Sequence, residues 1–174
     1  MKNFKGGEIM IHVYTGNGKG KTTAAFGLAL RAACAGKKVF IGQFVKGMEY
    51  SELKVPEYIP NIKVEQFGRN CFIFNNPTKE DIDAAKNGLK RLYEIANNYD
   101  VIILDEVNVA VYYRLLSVEE ILNFLNKLDK SKEVILTGRY APQEFVDIAD
   151  LVTEMKEVKH YYKKGVKARK GIEF

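Results

Sequence analysis

Residues 15–23 read Thr-Gly-Asn-Gly-Lys-Gly-Lys-Thr-Thr and join an apolar, strand-like run (Ile9 to Tyr14) to a helix-forming stretch (Ala24 to Ala33). Strand, glycine-rich turn, Gly-Lys-Thr and helix, in that order, is the context in which a P-loop match becomes a phosphate site. Gly16, Gly18 and Gly20 let backbone N–H groups curl round an anion without side-chain obstruction. The start of the helix adds a partial positive charge. Lys21 supplies a formal charge, and the Thr22 hydroxyl suits Mg²⁺. Asn17, Lys19 and Thr23 complete the candidate loop. The segment thus predicts binding of a nucleoside triphosphate and leaves open what is done with it. One residue departs from the pattern G-x-x-x-x-G-K-[ST]: its first glycine falls on Thr15, and glycine follows one position later at Gly16.

Further along, strand-like runs (38–45, 62–67, 101–104, 133–137, 151–155) alternate with helical patterns. Ile82, Ala85, Leu89, Leu92, Tyr93 and Ala96 recur at helical spacing, with a start signal at Asn76-Pro77-Thr78. Ser117 and Glu120 form a capping-box pattern ahead of Ile121, Leu122, Phe124, Leu125 and Leu128. A short helix is expected from Pro142. Alternating elements with continuous apolar strands predict an α/β fold with a parallel sheet covered on both faces. Ligands of such sheets bind beyond the carboxyl ends of the strands. The P-loop, Asp105-Glu106 and Gly138-Arg139 all stand at such ends and are expected to meet in one cleft.

Asp105 and Glu106 follow the apolar run Val101 to Leu104. In a P-loop chain a carboxylate there can reach the metal held by the Thr22 hydroxyl, so Thr22, Asp105 and Glu106 are the candidate metal ligands. Glu106 can alternatively polarise water, and a solvated strand-end pair is the bland reading. Arg139 is a candidate phosphate contact or an ordinary turn arginine. His12 and His160 form no cluster, and His12 reads as a structural histidine within a strand. No Ser-His-Asp or Cys-His arrangement supplies a protein nucleophile. Phe72 and Phe74 alternate in a Gly/Asn-rich loop after a strand end, where paired rings suit either the core or a flat apolar ligand.

With 174 residues, 47% hydrophobic and 28% charged, the chain fits one globular domain over 1–174. No apolar run approaches the roughly 18 residues that span a bilayer, and residues 1–8 lack a signal-peptide core. A cytoplasmic setting, with Cys34 and Cys71 as free thiols, is the expectation. The net charge of +5 is concentrated: residues 156–170 carry seven basic side chains against Glu157 alone, leaving the rest of the chain at −1. That segment, interleaved with Tyr161 and Tyr162, fits a solvated face, a positive wall round polyphosphate, or a nucleic-acid contact, although its spacing suits no nucleic-acid motif.

Taken together the chain resembles the P-loop corrinoid adenosyltransferases (ATP:cob(I)alamin adenosyltransferases). The resemblance is carried in order by 15–27, Gln43-Phe44-Val45-Lys46-Gly47, 103–108, Leu136-Thr137-Gly138-Arg139, 149–155, Val158-Lys159-His160 and 168–174. It implies a RecA-like P-loop NTPase three-layer sandwich with a mostly parallel sheet of about six strands. It implies that the cobalt of cob(I)alamin or a related corrinoid attacks the 5′ carbon of ATP and releases triphosphate. ATP is thought to lie reversed in this family relative to ordinary P-loop enzymes, which suits the altered loop start. Cobalt as nucleophile also explains the missing protein nucleophile. Lys21, Thr22 and Glu106 become the implied catalytic residues, with Mg²⁺ as cofactor. Phe72 and Phe74 align with paired aromatics beside the corrinoid, the second replacing a tryptophan of some members. A homodimer and an electron-donating flavoprotein reductase are implied, with no nucleic acid or membrane. The rival expectations are a P-loop ATPase or kinase using Glu106, a RecA-like nucleic-acid-binding protein using the basic segment, and a non-catalytic nucleotide-binding regulator.

Overall fold

The computed structural model describes residues 9–69 and 77–174. In chain order the elements are β1 (Met10–Thr15), α1 (Lys21–Cys34), β2 (Val39–Phe44), a 3₁₀ turn (Ser51–Lys54) running into α2 (Val55–Tyr58), and β3 (Ile62–Phe67). Then follow α3 (Lys79–Ile95), β4 (Val101–Asp105), α4 (Val107–Tyr112), α5 (Val118–Asn126), β5 (Glu133–Thr137), α6 (Gln143–Ile148) and β6 (Leu151–Glu154). The six strands form one sheet in the order β3-β2-β4-β5-β1-β6. Every pairing is parallel, where a mostly parallel sheet was expected.

The layers follow from the alternation of side chains along each strand. Val39, Ile41, Val101, Ile103 and Ile135 face α1, whose inner stripe is Ala25, Ala29, Ala32 and Ala33. These small residues let the helix lie close to the sheet. Phe40, Phe44, Ile102, Leu104, Val134 and Leu136 face the other way and pack with Leu89 and Leu92 of α3, Ile121 and Phe124 of α5 and Phe145 of α6. Both faces of the central strands are dry, which is why their sequences are continuously apolar.

Two helix starts conform to their local signals. Thr78 caps α3 in a capping box with Asp81, and Ser117 caps α5 with Glu120. His12, within β1, is engaged by Glu133 at 2.6 Å, as a structural histidine should be. At the amino ends of the strands, hydrogen bonds from Lys38 N to Asp100 Oδ2 (2.8 Å) and from Lys132 Nζ to the Asn97 carbonyl (2.8 Å) tie the connections together. The carboxyl ends carry the candidate site.

Candidate functional site

The carboxyl ends of β1, β2, β4 and β5 open onto a cavity of about 840 Å³. The P-loop forms one wall, and α1 begins at its base with Gly20 as N-cap. No acidic side chain stands in the first turn of α1, so its positive end is left for an anion. Lys21 is buried, and its Nζ donates to the carbonyls of Gly16 (2.9 Å) and Gly18 (2.8 Å), arching the side chain over its own loop. Burial, reinforced by Arg139, pushes the Lys21 ammonium below the ordinary lysine value against the pull of Glu106 and Asp105. A bound anion would reverse that penalty.

The displaced first glycine has a local cause. β1 runs on through Thr15, which pairs with Glu154 of β6 and accepts a hydrogen bond from Met155 N at 2.8 Å. The chain turns only at Gly16, at φ 96°, where a Cβ would collide with the Met155 carbonyl. That carbonyl accepts from Gly18 N at 2.7 Å. The P-loop is therefore braced from outside by the end of β6.

Asp105 is fully buried beneath the cavity floor. Its Oδ1 accepts from Thr22 Oγ1 (2.9 Å) and Thr137 Oγ1 (2.7 Å). Its Oδ2 accepts from Gln43 Nε2 (3.2 Å) and Lys46 Nζ (2.8 Å). Four donors saturate the carboxylate, so Asp105 orients Thr22 from behind and presents no oxygen of its own to the cavity. Glu106 lines the cavity and sits at φ 60°, a left-handed turn between β4 and α4. Burial and the neighbouring Asp105 raise its carboxyl above the ordinary range, opposed by Lys46, Lys21 and Arg139.

Thr22 and Glu106 are hard oxygen donors of the kind Mg²⁺ takes, and the Thr22 hydroxyl keeps both lone pairs while its proton is held by Asp105. This donor set fits a magnesium ion shared with phosphate oxygens. Among the described residues no group of three or more His, Cys, Asp or Glu side chains forms a metal cage. An ion here would complete its coordination with phosphate oxygens and water.

Arg139 lines the cavity from the turn after β5. Gly138, at φ 131°, leaves room for Asn108 and Glu106, and its carbonyl accepts from the buried Asn108 Nδ2 at 3.0 Å. Lys19 turns away from the loop: its Nζ donates to Tyr161 Oη (2.8 Å), the Ile172 carbonyl (3.0 Å) and Glu173 Oε1 (2.7 Å). Asn17, Gly18, Gly20 and Thr23 line the cavity, whereas Gly16 faces Met155 at the end of β6 and does not. Phe72 and Phe74 lie outside the described residues.

Three contributors escaped the sequence reading. The first is Lys46, whose Nζ stands 2.8 Å from Asp105 Oδ2, 3.7 Å from Glu52 Oε1 and 5.2 Å from the centre of the Tyr50 ring. Burial works against its charge, but Asp105 outweighs it, helped by Glu106 and Glu52, and holds the ammonium above the ordinary lysine value. Its signal was present in the Gln43-Phe44-Val45-Lys46-Gly47 block. The second is Tyr113 and Tyr140, which line the cavity and each pack against Tyr112. The third is the tail: residues 171–174 return across the P-loop and form a wall of the cavity, with Ser51 Oγ donating to the Phe174 carbonyl at 3.0 Å. The seven basic side chains of 156–170 do not line the cavity. They are solvated, several paired with acids: Lys163 with Glu157, Lys156 with Glu154 and Arg169 with Glu173.

Comparison with known proteins decides among the P-loop alternatives. A family model described as ATP:corrinoid adenosyltransferase BtuR/CobO/CobP matches residues 8–174. The chain belongs to the ATP:corrinoid adenosyltransferase family. It is 38% identical over 170 residues to the corrinoid adenosyltransferase of Escherichia coli K12, covering 95% of this chain and 85% of that protein. It is 38% identical over 171 residues to corrinoid adenosyltransferase CobA of Salmonella typhimurium, with the same coverage. To the corrinoid adenosyltransferase of Pseudomonas aeruginosa PAO1 it is 33% identical over 172 residues, covering 97% and 84%. No helix among the described residues is long and apolar enough to cross a membrane.

Proposed function

We propose that this chain transfers the 5′-deoxyadenosyl group of ATP to the cobalt of cob(I)alamin or a related corrinoid, with release of triphosphate. The observation that carries the reading is the combination of family membership with a P-loop cavity on which the cationic groups Lys21, Lys46 and Arg139 converge. The reduced cobalt is itself the nucleophile: it attacks C5′, a cobalt–carbon bond forms, and the C5′–oxygen bond breaks with its electron pair leaving on triphosphate. What the protein must then supply is position and charge.

Lys21, the P-loop N–H groups and the start of α1 grip the triphosphate as a leaving group. Thr22 and Glu106 would hold Mg²⁺, which when bound neutralises developing charge on the leaving oxygens. Asp105 acts through Thr22, fixing the hydroxyl so that its lone pairs face the cavity. Asn108 holds the Gly138 carbonyl and so positions the turn that carries Arg139. Tail residues 171–174 limit water at the triphosphate end. Phe72 and Phe74 belong to this reading as the apolar face against the corrinoid, disfavouring an axial ligand and easing reduction of the cobalt. A homodimer and a flavoprotein electron donor complete it.

The test is product identity. MgATP, cobalamin and a strong reductant incubated with the protein should give adenosylcobalamin and triphosphate in equal amounts. ADP and phosphate without a cobalt–carbon bond would transfer the chain to the ATPase reading.

A further inference from the structure

Lys46 holds an unusual position for a lysine. It follows Val45, whose φ of 60° is a left-handed conformation that a β-branched residue rarely adopts. The turn is locked on its far side: Gly68 N donates to the Lys46 carbonyl at 3.0 Å, and Gly47 packs so tightly on the Arg69 backbone that no Cβ would fit. Backbone strain of this kind persists where its surroundings over-determine it, and it concentrates at functional sites. Its effect here is to aim the Lys46 side chain, only 14% exposed, back over the end of β2 into the cavity.

A purely structural ion pair does not account for this. Asp105 already accepts from Thr22, Thr137 and Gln43. The Lys46 ammonium has three protons and gives one to Asp105 at 2.8 Å. Glu52, at 3.7 Å, is an ionic neighbour and not a hydrogen-bond acceptor. Among the described residues, therefore, a charged group with donors to spare faces the same cavity as Lys21 and Arg139.

We propose that Lys46 is a ligand of the triphosphate: anchored on Asp105, it turns its remaining donors to phosphate oxygens and stabilises the charge that builds on the leaving group. This rests on the adenosyl-transfer reading. It makes Lys46 a third cation of the site, approaching from β2 while Lys21 comes from the P-loop and Arg139 from β5. Its Asp105 contact fixes the direction of approach, as preorganised charge requires.

The proposal is tested by calorimetric titration of inorganic triphosphate into the full chain, with a chelator and then with Mg²⁺, for wild type, Lys46→Met, Lys46→Gln and Lys46→Arg. Loss of a charge-assisted contact should weaken binding about tenfold or more in the Met and Gln variants at unchanged stoichiometry. Arg should stay within about threefold of wild type. A structural role would lower the binding-competent fraction, and hence the stoichiometry, while leaving the Kd of folded molecules unchanged; that outcome overturns the proposal. So does wild-type affinity in the Met or Gln variant. Should Met prevent folding, Gln, which can still hydrogen-bond Asp105, carries the test. A wild type that binds triphosphate yet makes no adenosylcobalamin sinks the adenosyl-transfer reading without disturbing this titration; a wild type that binds no triphosphate overturns both.

Discussion

Thr22 Oγ1 and Asp105 Oδ1, 83 positions apart in the chain, meet at 2.9 Å beneath the cavity floor. The Thr22 hydroxyl donates its hydrogen bond to the carboxylate, which leaves the oxygen lone pairs directed outward. Thr22→Ala should therefore raise the Mg²⁺ concentration for half-maximal adenosyl transfer by about 10–100-fold, the usual cost of disturbing a metal site or its supporting groups. Thr22→Ser should restore most of it. Initial rates across a Mg²⁺ titration decide, and an Ala variant with a wild-type titration curve would exclude Thr22 from the metal site.

Lys21→Ala should lower kcat/KM for ATP by about 100-fold or more, since it removes a buried charge at the leaving group. The melting temperature should fall only modestly, because loss of the hydrogen bonds to the Gly16 and Gly18 carbonyls is offset in part by relief of the ammonium's desolvation cost. Steady-state kinetics with a thermal melt on the same preparation check both halves. Unchanged kcat/KM would refute the assignment.

Asn108→Ala should destabilise the protein and weaken ATP use together. The amide is fully buried, and removing it leaves the Gly138 carbonyl without its partner. A loss of about 1–3 kcal/mol is expected, or roughly 2–4 °C in Tm per kcal/mol for a chain of this size. Because the Gly138–Arg139 turn loosens, KM for ATP should rise more than kcat falls. A lower Tm with unchanged KM would restrict Asn108 to the fold.

Glu173→Ala should release the tail. Lys19, Tyr161 and Arg169 together hold the Glu173 carboxyl well below the ordinary carboxylate range. Its folded value is depressed, so its contribution is fully present above the ordinary value and is lost only as pH falls through the folded one. The hydrogen-exchange protection factors of residues 160–174, corrected for the intrinsic pH dependence of exchange, should accordingly stay constant between pH 5 and 8 in the wild type. In Glu173→Ala exchange should be faster throughout. High salt should loosen the wild-type tail as well, since these charges are exposed to screening. Equal protection in both proteins would show that the tail is held by other contacts.

These outcomes depend on features of very different visibility in the sequence. Strands β2, β4 and β5 were readable because dry faces require apolar runs, and α3 and α5 because Thr78 and Ser117 announce their starts. That the P-loop, Glu106 and Arg139 meet in one cavity was readable because a parallel sheet brings its strand ends to one rim; Asp105, expected as a metal ligand, lies instead behind Thr22 with its oxygens taken by four donors. Helix α4 was not. Val107, Val109 and Val111 are β-branched and strand-like in propensity, and only burial of Val107, Asn108 and Ala110 against the sheet makes the segment helical. Lys46 was hidden because its role depends on the backbone angle of Val45, and Glu173 because its partner Lys19 lies 154 residues away.

The wholly parallel sheet has a practical consequence. With all six strands running the same way, chemistry is confined to one rim of the molecule, while contacts such as Lys38 with Asp100 and Lys132 with Asn97 close the opposite rim. The two rims can be engineered as separate modules. Stabilising substitutions and surface attachment belong at the closed rim, and altered corrinoid preference belongs at the open one, with little trade-off expected between them.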